Sequence, residues 1–93
     1  VAKAYIIKNI KSGLFFTRYY DFDRLGFKTY LFPTMKAAER YIDVAKRQQV
    51  YRLLEQMYNK DIYDIDIDMG VYDNILEHVE MNVFGCYMCE GLP

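Results

Sequence analysis

Pro33-Thr34 divides the chain into two stretches with different hydrophobic periods, and no other feature constrains the fold as strongly. Before it, apolar and aromatic residues come in strand-length runs; after it, they recur at helical spacing. Runs of strands followed by helices are the pattern of an α+β domain. Ala4–Ile10 (AYIIKNI) and Leu14–Tyr20 (LFFTRYY) are rich in β-branched and aromatic residues. Lys11-Ser12-Gly13 between them supplies a turn with a glycine for positive φ, which predicts a hairpin. Asp21–Gly26 reads as a loop and Phe27–Phe32 (FKTYLF) as a third strand.

Thr34 is a good helix N-cap, and Pro33 cannot extend a strand ladder. Ala38, Tyr41, Ile42 and Ala45 then form one helical stripe, and Val50, Leu53, Leu54 and Met57 form a second. The centres of the two stripes differ by roughly 120° around the helix. Either the helix breaks near Lys46–Gln49, or one long helix presents two faces to two partners. A straight helix over residues 34–60 would be about 40 Å long, more than a domain this small spans. A break is therefore expected; without one, the second stripe would call for an outside partner, most simply a second copy.

Residues 61–69 (DIYDIDIDM) alternate strictly, with Tyr63, Ile65, Ile67 and Met69 on one side and Asp64, Asp66 and Asp68 on the other. Such alternation predicts a half-buried strand ended by Gly70. Val71–Met81 has the spacing of a short amphipathic helix, and Asn82–Cys89 is a last strand or a tail. The expected fold is α+β: a three- or four-stranded antiparallel sheet packed on one face by a helix, broken near 46–49, and by a short C-terminal helix. Residues 1–93 read as one domain.

The formal net charge is −1, but it is unevenly spread. Residues 1–60 hold all twelve Lys and Arg against five acids, giving +7; residues 61–93 hold eight acids and no Lys or Arg, giving −8. No apolar run approaches the ~20 residues of a membrane helix, and Lys3, Lys8 and Lys11 interrupt the N-terminal apolar stretch where a signal peptide needs an unbroken one. A cytoplasmic protein without membrane contact is the expectation. So small a domain disfavours a deep substrate cleft.

The acids are the first candidate site. Asp64-x-Asp66-x-Asp68 has the opening spacing of a calcium loop, but the sixth and twelfth positions of such a loop would be Met69 and Ile75 rather than Gly and Glu. On a strand, alternate carboxylates stand about 6.5–7 Å apart, too far for one ion to bind all three. What remains is a solvated sheet face, or an anionic strip of Asp64, Asp66 and Asp68, joined by Asp73 and Glu77, that binds a basic partner. The second candidate is a basic face of Lys36, Arg40 and Arg47 on the helix, with Arg18 and Tyr20 among the basic and aromatic residues of the strands and loops. Basic residues interleaved with aromatics suit phosphate contact and base stacking.

Cys86-Tyr87-Met88-Cys89 is a single C-x-x-C. Zinc needs four ligands, so Cys86 and Cys89 are weak metal candidates, and no cofactor is expected. His78 is the only histidine and has no nucleophile in evident triad order, so it reads as a surface or core-edge residue. Glu39 and Asp43, interleaved with Lys36, Arg40 and Arg47, suit i,i+4 salt bridges. The ten tyrosines add some weight to an interaction role.

The segments AYIIKNIKSGLFFTRYYDF and FKTYLFPTMKAAERYI, within residues 4–42, resemble small accessory proteins encoded by phages of Gram-positive bacteria. The resemblance carries no catalytic signature and implies a stoichiometric binder rather than an enzyme. The functional expectation is a phage or mobile-element protein that binds and inhibits a host protein, such as an anti-defence inhibitor of the anti-CRISPR kind. Its acidic face would occlude a basic, nucleic-acid-binding groove. The alternative is a small nucleic-acid-binding protein using the basic face. Monomer and homodimer both stay open.

Overall fold

A computed structural model describes residues 2–88. Strand β1 (Ala2–Asn9) lies between β2 (Phe15–Phe16) and β4 (Met81–Met88), and β3 (Phe22–Asp23) pairs outside β2. All pairings are antiparallel, in the order β3-β2-β1-β4. The β1–β4 ladder is the backbone of the sheet: it runs in unbroken register from Ala2↔Met88 to Asn9↔Met81. The hairpin turn is as expected, with Gly13 at φ 74°. Asn9 is buried and its Oδ1 accepts from the amides of Lys11 (3.0 Å) and Ser12 (3.3 Å), which closes the turn.

The outer strands depart from the sequence reading. Only Phe15–Phe16 of the expected 14–20 strand is in the ladder, and β3 lies in the stretch expected to be a loop. Residues 27–32 form no strand; they touch the sheet through two single bridges, Thr17↔Thr29 and Tyr5↔Phe32. The cause is two tight turns anchored by threonine hydroxyls, at Thr17–Asp21 and Gly26–Thr29, which use local hydrogen bonds in place of a ladder.

Helix α1 (Met35–Arg40) starts where expected, with Thr34 Oγ1 accepting from the Ala37 amide at 3.1 Å. The chain bends at Tyr41 (φ −95°, ψ −3°), whose amide bonds three residues back to Ala38 at 3.0 Å. Tyr41 packs its ring against Phe32 (5.1 Å) and Tyr30 (5.3 Å). From there α2 (Ile42–Tyr58) runs without interruption through 46–49, so the bend falls earlier than the stripes predict. At 17 residues, α2 is about 25 Å long. It fits because the molecule is elongated, 46 × 22 × 20 Å.

The two stripes serve two hydrophobic clusters within one chain. Ala38 and Ala45 pack with Ile7, Phe16 and Phe32 against the sheet. Val50 and Leu54 pack with Tyr72 and Val79, and Met81 touches both clusters. The second stripe thus finds its partner inside the chain, in helix α3 (Met69–Glu77) and the segment before it.

The strand expected at 61–69 is absent. Asp61 caps a 3-10 turn, Ile62–Asp64, and Asp68 caps α3. Each aspartate accepts from an amide two residues on, at 3.3 Å for Tyr63 and 2.8 Å for Gly70, so local capping replaces ladder bonding. Ile65 and Ile67 still pack inward, but Tyr63 and Met69, expected beside them, are 93 % and 61 % exposed. α3 therefore begins two residues before the expected helix and ends at Glu77, leaving Met81 to start β4. Among the described residues no helix is long and apolar enough to cross a membrane.

Candidate functional site

All five carboxylates of the acidic set lie on the lobe built over the second cluster, and all are exposed. Asp64 and Asp66 alternate with Ile65 and Ile67, whose inward packing turns the acids outward. Asp73 and Glu77 stand one helical turn apart on α3, away from the buried Tyr72. Asp68 differs from the others, because its Oδ1 accepts from the amides of Gly70 (2.8 Å) and Val71 (3.4 Å) and so holds the start of α3. None of the five has an ion-pair partner among the described residues. At the α2–α3 seam, Lys46 and Arg47 line a cavity of about 420 Å³ with Asp43, Tyr72 and Leu76. Burial pushes the Tyr72 phenol above its ordinary value, Tyr51 and Asp73 add to this, and the Arg47 guanidinium opposes it.

The structure divides the basic set. Lys36 and Arg40 project from α1 into solvent, and Arg47 donates from Nε to the Asp43 carbonyl at 3.4 Å. Glu39 and Asp43 make no ion pair among the described residues, so the i,i+4 bridges expected there are not formed. Arg18 and Tyr20 sit elsewhere, in the turn after β2. With Phe27, Thr29, Tyr30 and Leu31 they line an open groove of about 550 Å³. Phe27 and Leu31 are legible in the sequence only as strand residues.

This groove rests on a stiff support. Thr17 and Thr29 are fully or nearly fully buried and face each other in a bridge. The Thr17 hydroxyl donates to the Asp21 carboxylate and accepts from the amides of Tyr19 (3.2 Å) and Asp21 (3.4 Å). The Gly26 amide donates to Thr29 Oγ1 at 3.0 Å. Backbone bonds Arg18 N–H to Lys28 C=O (2.8 Å) and Tyr30 N–H to Phe16 C=O (3.0 Å) tie the two walls together. Held in this frame, Tyr20 has φ 60°, the left-handed region, which costs a side-chain-bearing residue about 1–2 kcal/mol. Its ring lies 5.5 Å from Phe16 and remains 40 % exposed. Hydrogen bonding to the Tyr41 side chain, then burial, keeps the Tyr30 phenol above its ordinary value, so this part of the groove carries no negative charge at neutral pH.

The remaining candidates are not assembled into a centre. Cys86 is half-buried on β4 opposite Ala4, and Cys89 lies outside the described residues. No three His, Cys, Asp or Glu side chains gather into a metal-holding group among the described residues. His78 ends α3, with its Nδ1–H donating to the Asn74 carbonyl at 2.8 Å. It borders a cavity of about 290 Å³ that it shares with Asn9, Lys11, Ser12, Gln49, Leu53 and Val79, where no thiol faces it. Compared with family models, curated proteins and solved structures, the chain finds no match.

Proposed function

We propose that this chain is a non-enzymatic binding protein whose acidic lobe docks on a basic, nucleic-acid-binding surface of another protein and occludes it. The observation that carries the reading is the exposure of Asp64, Asp66, Asp73 and Glu77 with no ion-pair partner among the described residues. Four carboxylates left in water on one lobe, in a segment with no Lys or Arg, form a negative field that a basic groove would complement. The resemblance to phage accessory proteins supports the same class, an inhibitor of a host protein acting in the host cytoplasm. Inhibition would follow from occupancy alone, since the carboxylates take the place of phosphates. Asp68 contributes charge, but its first role is to hold α3.

The test is a variant carrying Asp64→Asn, Asp66→Asn, Asp73→Asn and Glu77→Gln, used beside the wild type as paired baits in host lysate. A protein retained by the wild type and released by raised salt should be lost from the variant, and its association should slow by about 10- to 1,000-fold. Identical retention by both baits would end the proposal. Asp68 needs separate treatment. Asp68→Asn keeps a good N-cap and should leave stability unchanged, whereas Asp68→Ala should cost about 1 kcal/mol in a urea titration.

A further inference from the structure

We infer that the groove between the Thr17–Asp21 turn and residues 27–31 binds single-stranded nucleic acid, taking an unpaired base among its rings and the adjoining phosphate on Arg18. Three independent features of the groove lead there. Its lining is one cation, three aromatic rings, a threonine and a leucine, with no carboxylate. Its rim continues this chemistry: Tyr19 is 64 % and Phe27 61 % exposed, with the Arg18 guanidinium 5.9 Å from the Tyr19 ring and the Lys28 ammonium 6.0 Å from the Phe27 ring. Alternating cations and exposed rings serve a chain that alternates phosphates and bases. The two acids nearest in sequence are engaged, Asp21 with the Thr17 hydroxyl and Asp23 with the Arg24 amide at 2.7 Å. Neutral donors leave both carboxylates charged, so with Arg18, Arg24 and Lys28 the segment 18–28 carries a formal net charge of +1.

The backbone supplies the third feature. Among the described residues Tyr20 is one of two non-glycine residues at positive φ, and it is the one that lines the groove. A bulky residue whose backbone is held there by part-buried hydrogen bonds, with its ring against Phe16, is a platform set before any ligand arrives. Such a fixed platform loses little entropy on stacking. The volume of about 550 Å³ lies within the range of small-ligand pockets and accommodates a nucleotide rather than a duplex groove contact. A single strand is favoured because stacking requires an exposed base face, which a duplex does not offer. The site does not include Lys36, Arg40 or Arg47, and it lies on elements other than those carrying the acidic lobe.

Fluorescence anisotropy with labelled oligo(dT) and oligo(rU), and with a duplex of the same length, tests the inference at low salt and at about 0.15 M. Both single strands should bind, with the duplex at least tenfold weaker. Phe27→Ala, at an exposed position, should weaken binding about tenfold, within the range seen for loss of one stacking ring. Tyr20→Asn should do the same while its urea midpoint falls by less than that of Phe16→Ala, because asparagine tolerates the left-handed region and so offsets part of the packing lost against Phe16. Arg18→Ala should reduce the salt dependence by about one phosphate contact. Lys36→Ala and Arg40→Ala should bind like the wild type, and the four-carboxylate variant should bind at least as tightly. No binding at low salt, equal binding of duplex and single strand, or a Phe27→Ala protein that binds like the wild type would each overturn the assignment.

Discussion

Phe16→Ala should lower the unfolding free energy by about 3–5 kcal/mol, the range for emptying a buried phenylalanine site. Phe16 is fully buried, and its ring meets Tyr20 at 5.5 Å, Phe22 at 5.7 Å and Tyr30 at 6.0 Å. It is thus the shared contact of β2, β3 and both walls of the groove. These segments have little ladder of their own, because β2 and β3 are two residues each. Without the ring, the turn that holds Tyr20 at positive φ loses its floor. A domain of this length has roughly 5–14 kcal/mol to lose, so the substitution removes a large share of it. Phe16→Leu, which retains much of the volume, should cost about 1.5 kcal/mol or less. Urea titration of the three proteins checks this. A Phe16→Ala protein within about 1 kcal/mol of the wild type would show that the 17–31 segment is held by its hydrogen bonds alone.

Which parts of this architecture can be read from sequence follows from how local their causes are. The turn at Lys11–Gly13 and the cap at Thr34 depend on residues within three positions, and both form as their residue types dictate. The β1–β4 pairing needs two runs far apart in sequence; the first reads as a strand, while the second reads equally as a strand or a tail. In residues 61–69 the alternation correctly separates half-buried Ile65 and Ile67 from exposed Asp64, Asp66 and Asp68. It misleads on the backbone, because Asp61 and Asp68 bond to their own following amides and β1 already has β4 on one edge and β2 and Phe32 on the other. The bend at Tyr41 has no glycine or proline to announce it; the ring partners, Tyr30 and Phe32, come from another segment. The groove is the least legible feature. Arg18 and Tyr20 stand out by type, but Phe27 joins them only through the Thr17–Thr29 bridge, a contact across two turns.

Leu54→Ala should cost about 2–5 kcal/mol, and its effect should fall mainly on the acidic lobe. Leu54 is 1 % exposed and, with Val50, Tyr72 and Val79, forms the cluster that α3 covers. α2 is the main packing partner of both α3 and the 3-10 turn, so the lobe depends on this one face of one helix. The β1–β4 ladder has eight residue pairs and its own cluster around Ile7 and Phe16. Native-state hydrogen exchange should therefore show the amides of α3 losing protection while those of β1 and β4 largely keep theirs. Met81, which touches both clusters, sets the limit of that independence. If α3 and the β1–β4 ladder lose protection together, the molecule opens as one unit. The substitution also separates two explanations of partner binding. It leaves every carboxylate in place, so a docking surface that needs those charges in a fixed arrangement weakens with the lobe, while one that needs only net charge does not. Oligonucleotide binding at the distant groove should be unchanged in the same protein, because none of its lining residues touches Leu54's cluster.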